Sequence, residues 1–515
     1  VKARRWFHLA ERLDGPVSAS VFRAAFPARR ASTFLLDGGG SATLDRQAFM
    51  GAEPIASFRV TRTRSGAEIA RDALGRATAS VVVEKSGDRR ALGAADPFDA
   101  LRTFLAAHAP PSDVFDARYP FPFRAGLVGY FGYEVGQILE RLPCIVRPSV
   151  GMPDIALAMH RWVVATSRHR DESWLSVLGS GPTPAAARAD AEATRDRVVS
   201  ALSRGRQEAR DTAPISSRRR LAEPPRIEAA LSRGEYLERV AAAKAHIAAG
   251  DAFEICLTNA LRAPLADDDA PALWELLRRS NPAPFAALLD LPEGVVVSSS
   301  PERFLSLDPR RIAESRPIKG TRPRGASAEE DARLARELRE SDKDRAENAM
   351  IVDLVRNDLG RVCRFGTVVA PELFAVESYA TVHQLVSTIR GELEPGRDAV
   401  DLLCACFPPG SMTGAPKIEA MSILERLEPV ERGVYSGAIG WLDLGGAMDL
   451  SVVIRTAVVR DGIATFSVGG AIVADSDPSA EHEETEHKAR ALVAALRAIG
   501  SRLDGSADLS EVEQA

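Results

Sequence analysis

Apolar and polar residues alternate through residues 253–258, with Phe253, Ile255 and Leu257 on one face and Glu254, Cys256 and Thr258 on the other. That two-residue period predicts a strand. Residues 295–300 and 450–459 are rich in valine and predict two more strands, the second with Arg455 in its middle. A guanidinium among β-branched neighbours is costly to bury unless it meets an anion.

Helical spacing takes over elsewhere. Asp96 and Pro97 supply the cap and first-turn proline of a helix whose apolar side is Leu101, Phe104 and Leu105. Residues 184–203 predict an Ala/Arg/Asp-rich helix with a mostly solvated face. Ser232 caps another helix, carrying Leu237, Val240 and Ile247, and Gly250 stops it. Residues 326–361 read as one long helix with Met350, Ile351, Leu354 and Val355 on its apolar stripe. Counting back three or four residues puts Glu347 on that stripe, with Asp344 three residues earlier. Asp477 and Pro478 open the last helix, whose apolar side, Leu492, Ala495 and Ile499, continues back through Lys488, Glu484 and Glu481.

Buried carboxylates at that density must protonate, pair or bind a cation. His482 and His487 fall off the stripe, so the ligand set is all oxygen and points to Mg²⁺. The plainer reading makes Glu484 and Lys488 an i,i+4 surface pair and Glu481 a partner of the helix N-terminus.

Residues 314–325 hold two prolines and two glycines, which predicts a shaped loop. Lys319 lies in its middle with Arg316, Arg322 and Arg324 around it. Like-charge repulsion is expected to lower the pKa of the amine and make it nucleophilic. The same loop also reads as a solvated basic surface.

Strands of unequal length mixed with helices predict an α+β fold with large mixed sheets. The glycines of residues 126–136 are not spaced as G-x-G-x-x-G and suggest close packing or a bulged strand. Residues 203–225 shift to Arg, Ser and Pro and read as a linker or exposed loop between a region 1–202 and a region 226–504. Residues 505–515 read as a short acidic tail.

The chain has 515 residues, 45% hydrophobic and 27% charged, with a net charge of -5. This balance argues against general affinity for nucleic acid or membrane surfaces. No apolar run is long enough to span a bilayer, and the first residues lack the apolar segment of a secretory leader. The five cysteines show no C-x-x-C spacing and read as reduced core residues of a cytoplasmic protein.

Six motifs stand in one order: Ser-Pro-Glu-Arg-Phe at 300–304, Pro-Ile-Lys-Gly-Thr at 317–321, Asp-Arg-Ala-Glu-Asn at 344–348, Val-His-Gln-Leu-Val-Ser at 382–387, Gly-Ser-Met-Thr-Gly-Ala-Pro-Lys at 410–417 and Glu-Glu-Thr-Glu-His-Lys at 483–488. Together they resemble the chorismate-utilising enzymes, and within them the aminodeoxychorismate synthase branch. The resemblance implies two large, mostly antiparallel sheets packed face to face, with helices outside and the site between them. It implies Mg²⁺ held by Glu347 and Glu484, with Asp344 and Glu481 behind them or bridged by water. It places chorismate against Gly320, Thr321, Tyr435, Arg455 and a turn at Gly469, Gly470 and Ala471, with Lys488 as a further carboxylate partner. Lys319 is implied to attack C2 as the C4 hydroxyl leaves, with Glu302 as the acid; ammonia then adds at C4 and expels the lysine. Ser411, in the fifth motif, and Glu254 join the candidates without a fixed role.

Three positions refine the resemblance. Anthranilate synthases, the alternative reading, typically carry alanine in place of Lys319. Isochorismate and salicylate synthases use a lysine base where this chain has Glu254. Related chains often show His-His where this one has His383 and Gln384, so His383 is either catalytic or a hydrogen-bonded core residue. Residues 35–38, Leu-Leu-Asp-Gly, replace the tryptophan-binding Leu-Leu-Glu-Ser, so tryptophan feedback is not expected. Without a Gly-x-Cys-x-Gly elbow, the expected ammonia source is a separate glutamine amidotransferase partner. With no lyase expected after residue 503, the product would be aminodeoxychorismate, a precursor of 4-aminobenzoate and folate.

Overall fold

The fold was analysed on a computed structural model, which describes residues 4–27, 32–39, 47–65, 68–69, 77–85, 88–145, 147–211 and 225–501. Two antiparallel sheets, each of twelve strands among these residues, pack face to face. The first runs in the order Arg5–Arg12, Glu172–Gly181, Trp162–Ser167, Gln47–Gly51, Thr33–Asp37, Phe285–Leu291, Gly294–Ser300, Thr456–Arg460, Ile463–Ile472, Glu254–Pro264 and Glu228–Ala229, with Gly414–Ala415 also against Glu254–Pro264. In the second, Val382–Glu392 takes Val369–Ser378 on one side and both Ile312–Arg316 and Ile318–Pro323 on the other. It continues through Arg303–Leu307, Met448–Val452, Ala438–Asp443, Gly126–Phe131, Ile155–His160, Ala56–Arg62, Ala79–Lys85 and Asp88–Ala95. Both sheets draw strands from both sides of residues 203–225.

The central strands of both sheets are buried on both faces, and the two-residue period sorts side chains between them. Along Gly294–Ser300, Val295 and Val297 face a helical layer with Leu273, Trp274 and Leu492. Val296 faces the opposite sheet, in a cluster with Phe34, Phe49, Phe123, Tyr130 and Trp441. The rings of Phe123 and Trp441 stack there at 5.0 Å. Phe98, Leu101, Ile351 and Leu402, from three helices, cover the outside of the second sheet. Gly126 and Gly129 pack as the sequence suggests: a Cβ on either would stand about 2 Å from a carbonyl of the neighbouring strand.

Local capping signals are obeyed. Asp96 accepts from the N–H groups of Phe98 and Asp99 at the head of Pro97–His108. Ser232 and Glu235 form a reciprocal capping box, and Gly250 ends Arg233–Ala249 at φ 85°. The five cysteines are free, four of them buried. No helix among the described residues is long and apolar enough to cross a membrane.

Several expectations need correction. Of residues 314–325, expected to be a loop, 314–323 belong to the two strands Ile312–Arg316 and Ile318–Pro323, interrupted at Pro317, and only Arg324 and Gly325 lie outside them. The proline removes one ladder donor without ending the extended path. The long helix of residues 326–361 is two, Ala328–Glu340 and Asp342–Gly360. Ser341 closes the first and caps the second through its hydroxyl on Asp344 N. Residues 450–459 are two strands in different sheets, Met448–Val452 and Thr456–Arg460, with Arg455 between them at φ 51°. Gly469, Gly470 and Ala471 lie inside the strand Ile463–Ile472 instead of in a turn. The expected linker begins as helix, since Pro184–Asp211 is continuous; residues 212–224 and the tail lie outside the described residues.

Candidate active site

Lys319 is carried by an irregular strand. Between Ile318 and Thr321 the pairing with Val382–Glu392 shifts register, and Gly320 takes φ 84°. A Cβ at Gly320 would stand 2.8 Å from Asp344, so glycine there also admits the helix Asp342–Gly360. Lys319 Nζ donates to Glu254 Oε1 at 2.7 Å, across the gap between the two sheets. The Lys319 side chain is 11% exposed and that of Glu254 is fully buried. Burial alone would lower the lysine pKa, but the carboxylates of Glu254 and Glu347 outweigh it and raise the pKa above the ordinary value. This overturns the expected depression. The arginines meant to repel the amine are occupied: Arg316 with Glu377, Arg322 with Asp344 at 2.9 Å and Arg324 with Asp331 at 2.7 Å.

Glu302 lies where the chain crosses from Gly294–Ser300 in the first sheet to Arg303–Leu307 in the second. Ser300 Oγ donates to Val452 O and Val452 N to Glu302 O, which fixes the crossing. The carboxyl is buried, with Phe304, Pro317, Ile351 and Val355 beside it around a cavity of about 10 Å³, room for one water at most. Ser411 Oγ donates to Glu302 Oε1 at 2.8 Å from the 3₁₀ turn Gly410–Met412. Burial pushes the Glu302 pKa up to about 7, opposed in part by the Ser411 bond, the Lys319 charge and the Ile318 N–H.

Arg455 marks another crossing between sheets, from Met448–Val452 to Thr456–Arg460. Its guanidinium has one long hydrogen bond, Nη1 to Asn281 Oδ1 at 3.4 Å, and no carboxylate partner among the described residues. Burial pulls its pKa below the ordinary value. Tyr435 is buried, which raises its phenol pKa. Gly469, Gly470 and Ala471 pair with Thr258, Leu257 and Cys256, so they flank the strand that carries Glu254. Thr321 is exposed and opposite Gln384.

The carboxylates stand at the N-terminal turns of two helices. Glu347 is half-buried, with Lys343 Nζ at 3.9 Å, and burial raises its pKa. On Pro478–Ser501 the buried stripe is Glu481, Thr485, Ala489, Leu492 and Leu496, so Glu484 and Lys488 lie at its rim, 48% and 44% exposed. This corrects the predicted stripe: a four-residue step from Glu481 reaches Thr485, one position past Glu484. Glu484 pairs with Lys488 at 2.7 Å, and Lys488 also donates to Gly469 O. Burial would raise the Glu484 pKa, but Lys488, Lys343 and Lys319 outweigh it and hold it low. Lys319 and Lys343 act electrostatically on both Glu347 and Glu484. Glu481 accepts from Ser476 through Oε1, while its buried Oε2 has no hydrogen-bond partner and lies near Gly470. No three Asp, Glu, His or Cys side chains among the described residues converge closely enough to hold a metal ion unaided.

His383 is not at the centre of this constellation. It is buried, with Nδ1 on Ser378 Oγ at 2.8 Å and Nε2 on Asp331 Oδ1 at 2.9 Å. Sequence reasoning missed Asn281, Glu428 and Arg432, which contact the site-bearing segments. The available signal for the last two was their i,i+4 spacing beside Gly433.

The model for the chorismate binding enzyme family matches residues 48–494. The chain is 45% identical over 407 residues to the aminodeoxychorismate synthase of Streptomyces griseus, covering 76% of this chain and 53% of that protein. It is 42% identical over 410 residues to anthranilate synthase component 1 of Streptomyces coelicolor, covering 78% of each. The chain spans about half the length of the Streptomyces aminodeoxychorismate synthases it matches. Among solved structures, anthranilate synthase component I from Streptococcus pneumoniae superposes with a TM-score of 0.69 at 27% identity, covering 88% of this chain and 93% of that one.

Proposed function

The chain belongs to the chorismate binding enzyme family, and we propose that it converts chorismate and ammonia to 4-amino-4-deoxychorismate. The observation that carries this reading is a buried lysine, Lys319, ion-paired with Glu254 across the two sheets, whose charge also reaches Glu302, a buried carboxyl pushed up to about 7.

The chain's own groups supply each proton. Lys319 gives its proton to Glu254, and the free amine bonds to C2 of chorismate as the ring double bonds shift. The C4–O bond breaks, and Glu302 gives its proton to the departing hydroxyl, which leaves as water. Ammonia then bonds to C4, the double bonds shift back and the C2–N bond breaks. The released amine recovers its proton from Glu254, while the new C4 ammonium returns one proton to Glu302. The net reaction exchanges a hydroxyl for an amine and restores all three side chains.

Substrate binding falls to cations that lack a full complement of protein anions. Arg455 receives one substrate carboxylate. Tyr435, Gly320, Thr321, Ala471 and the Gly469–Gly470 backbone line the remainder of the ring, with Lys488 at the rim. The other carboxylate fits the space between Glu347 and Glu484 if a cation stands there. The donor set suits Mg²⁺: all oxygen, with Glu481 Oε2 buried and unsatisfied behind it, Asp344 beside Glu347, and substrate and water oxygens completing the shell. When bound, Mg²⁺ would neutralise and orient that carboxylate. The ammonia source is a glutamine amidotransferase subunit, and the product leads to 4-aminobenzoate and folate.

Anthranilate synthesis is the rival reading, favoured by the Streptomyces coelicolor relative. Incubating the protein with chorismate, Mg²⁺ and ammonium, then identifying the product by mass and chromatography, separates the two. Aminodeoxychorismate is expected; anthranilate as the main product would overturn the proposal.

A further inference from the structure

Arg432 has five side-chain N–H groups, and every one has an acceptor. Nε donates to Glu428 Oε2 at 2.8 Å, and Nη2 to Glu428 Oε1 at 2.6 Å and Cys256 O at 2.7 Å. Nη1 donates to Met412 O at 2.6 Å and Ser436 Oγ at 3.3 Å. Its main-chain N–H donates to Glu134 Oε1 at 2.8 Å, and the ring of Tyr133 lies 4.3 Å from the guanidinium. The side chain is 2% exposed. Glu428 in turn accepts from both the N–H and the hydroxyl of Thr258.

The acceptors are informative because of what lies next to them. Cys256 and Thr258 share a strand face with Glu254, the partner of Lys319. Met412 follows Ser411, which donates to Glu302. Ser436 follows Tyr435. One rigid fork therefore ties its own segment, which carries Tyr435, to the Ser411 turn and to the distant Glu254 strand. A lysine has three donors on a flexible stem and cannot span these acceptors.

The Glu254 strand and the segment after the Ser411 turn already pair at Glu254–Ala415 and Ile255–Gly414; we propose that Arg432, held by Glu428, is a positioning residue that fixes the Ser411 turn against this ladder, and so the separation of the two carboxyl groups serving Lys319. The inference rests on the amination chemistry above.

The test is Arg432→Lys, assayed for kcat, KM and the pH dependence of kcat alongside near-UV circular dichroism. A displacement of about 1 Å at the reacting groups costs about 100-fold in rate. The expected result is a kcat loss of that order, with KM for chorismate changed less than about threefold because Arg455 is untouched. The descending limb of the pH profile should also move. Glu302 acts while protonated, so activity falls as pH rises through its pKa. The Ser411 bond lowers that pKa, and loosening the turn raises it, carrying the limb to higher pH. The other charged groups on that side, Lys319 and the Asp358–Lys417 pair, are unchanged by the substitution.

An unmoved limb, with activity falling only in proportion to folded protein, would overturn the proposal. Should Arg432→Lys fail to fold, Glu428→Gln keeps an acceptor while removing the charge that holds the fork. It should shift kcat and the limb in the same direction, and wild-type values of both would also overturn the proposal. Glu302→Gln is the control on the underlying chemistry. Full activity there would bring down the amination scheme itself, whereas an inactive Glu302→Gln beside an unaffected Arg432→Lys would bring down this inference alone.

Discussion

Lys319 and Glu254 come from different sheets, and their side chains meet at 2.7 Å in the space between them. Glu254 keeps the amine charged at rest and is also the nearest base able to discharge it. Pairing therefore replaces the like-charge activation expected from the neighbouring arginines. A buried pair of this kind contributes little net stability, but removing one partner leaves the other charge stranded.

Lys319→Ala should lose aminodeoxychorismate formation, with residual anthranilate from direct amination at C2. It should also destabilise the fold by about 3 kcal/mol, because Glu254 is left buried and unpaired. The double variant Lys319→Ala/Glu254→Gln should regain most of that stability while staying inactive. Chemical denaturation and product analysis of both proteins check this. A single variant as stable as the parent would show that the pair does not form.

Glu302, at a pKa of about 7, should set the descending limb of the pH–rate profile. As the proposed acid it is competent while protonated, so activity should be lost as pH rises through that value. Ser411→Ala removes a bond that favours the charged form, and the limb should move to higher pH. The same raised pKa has a stability sign. Unfolded, the carboxyl ionises near pH 4.5; folded, it holds its proton until about 7. Its contribution to stability is therefore present below pH 4.5 and lost between pH 4.5 and 7. Glu302→Gln should flatten that part of the pH–stability curve, measured by denaturation at pH 5 and pH 8.

What the sequence made legible was local. The alternation around Glu254, the capping box at Ser232 and the stop at Gly250 are written in neighbouring residues, and they fold as written. The sheet switch at Arg455 was not legible, since a valine-rich run keeps its period whether it stays in one sheet or passes to another. Ser341 hid the helix break, because serine is tolerated inside a helix and also caps one. The segment around Lys319 misled for the opposite reason: proline and glycine usually mark loops, and here they mark a strand interruption and a bulge. Its counter-charge lies 65 residues away on another sheet, beyond the reach of any periodicity. The motifs brought the candidate residues together through resemblance, while their pairing and protonation came only from three-dimensional contacts.

Arg455 should matter for binding and not for folding. It carries its desolvation cost with one weak neutral partner, Asn281. Arg455→Met should leave thermal stability unchanged or raised, and weaken chorismate binding by about 10- to 100-fold, the worth of one or two charge-assisted hydrogen bonds. Isothermal titration with chorismate, beside a thermal melt, decides it. Unchanged affinity would remove Arg455 from the substrate's carboxylate.

Glu347 gives the sharpest test of the metal reading, because its loss should cost the fold little. Lys343, an exposed side chain 3.9 Å away, can turn to water, and the buried Lys319, which also feels Glu347, keeps Glu254 as its direct partner, so Glu347→Ala leaves no buried charge without a partner. Relief of the burial that raises the Glu347 pKa acts in the same direction. If Glu347 and Glu484 share Mg²⁺, the substitution should abolish the Mg²⁺-dependent rise in melting temperature of the chorismate complex and weaken Mg²⁺ binding at least tenfold, the worth of about 1.4 kcal/mol. The metal-free protein should melt close to the parent, since relief of the Glu347 burial offsets the weaker support of Lys319. Glu484→Ala should act alike on the metal, but it also frees Lys488, which then competes for the same substrate carboxylate, so its effect on chorismate affinity should be smaller. Calorimetry of Mg²⁺ with each variant separates these outcomes, and an unaltered Mg²⁺ affinity in Glu347→Ala would remove that carboxylate from the site.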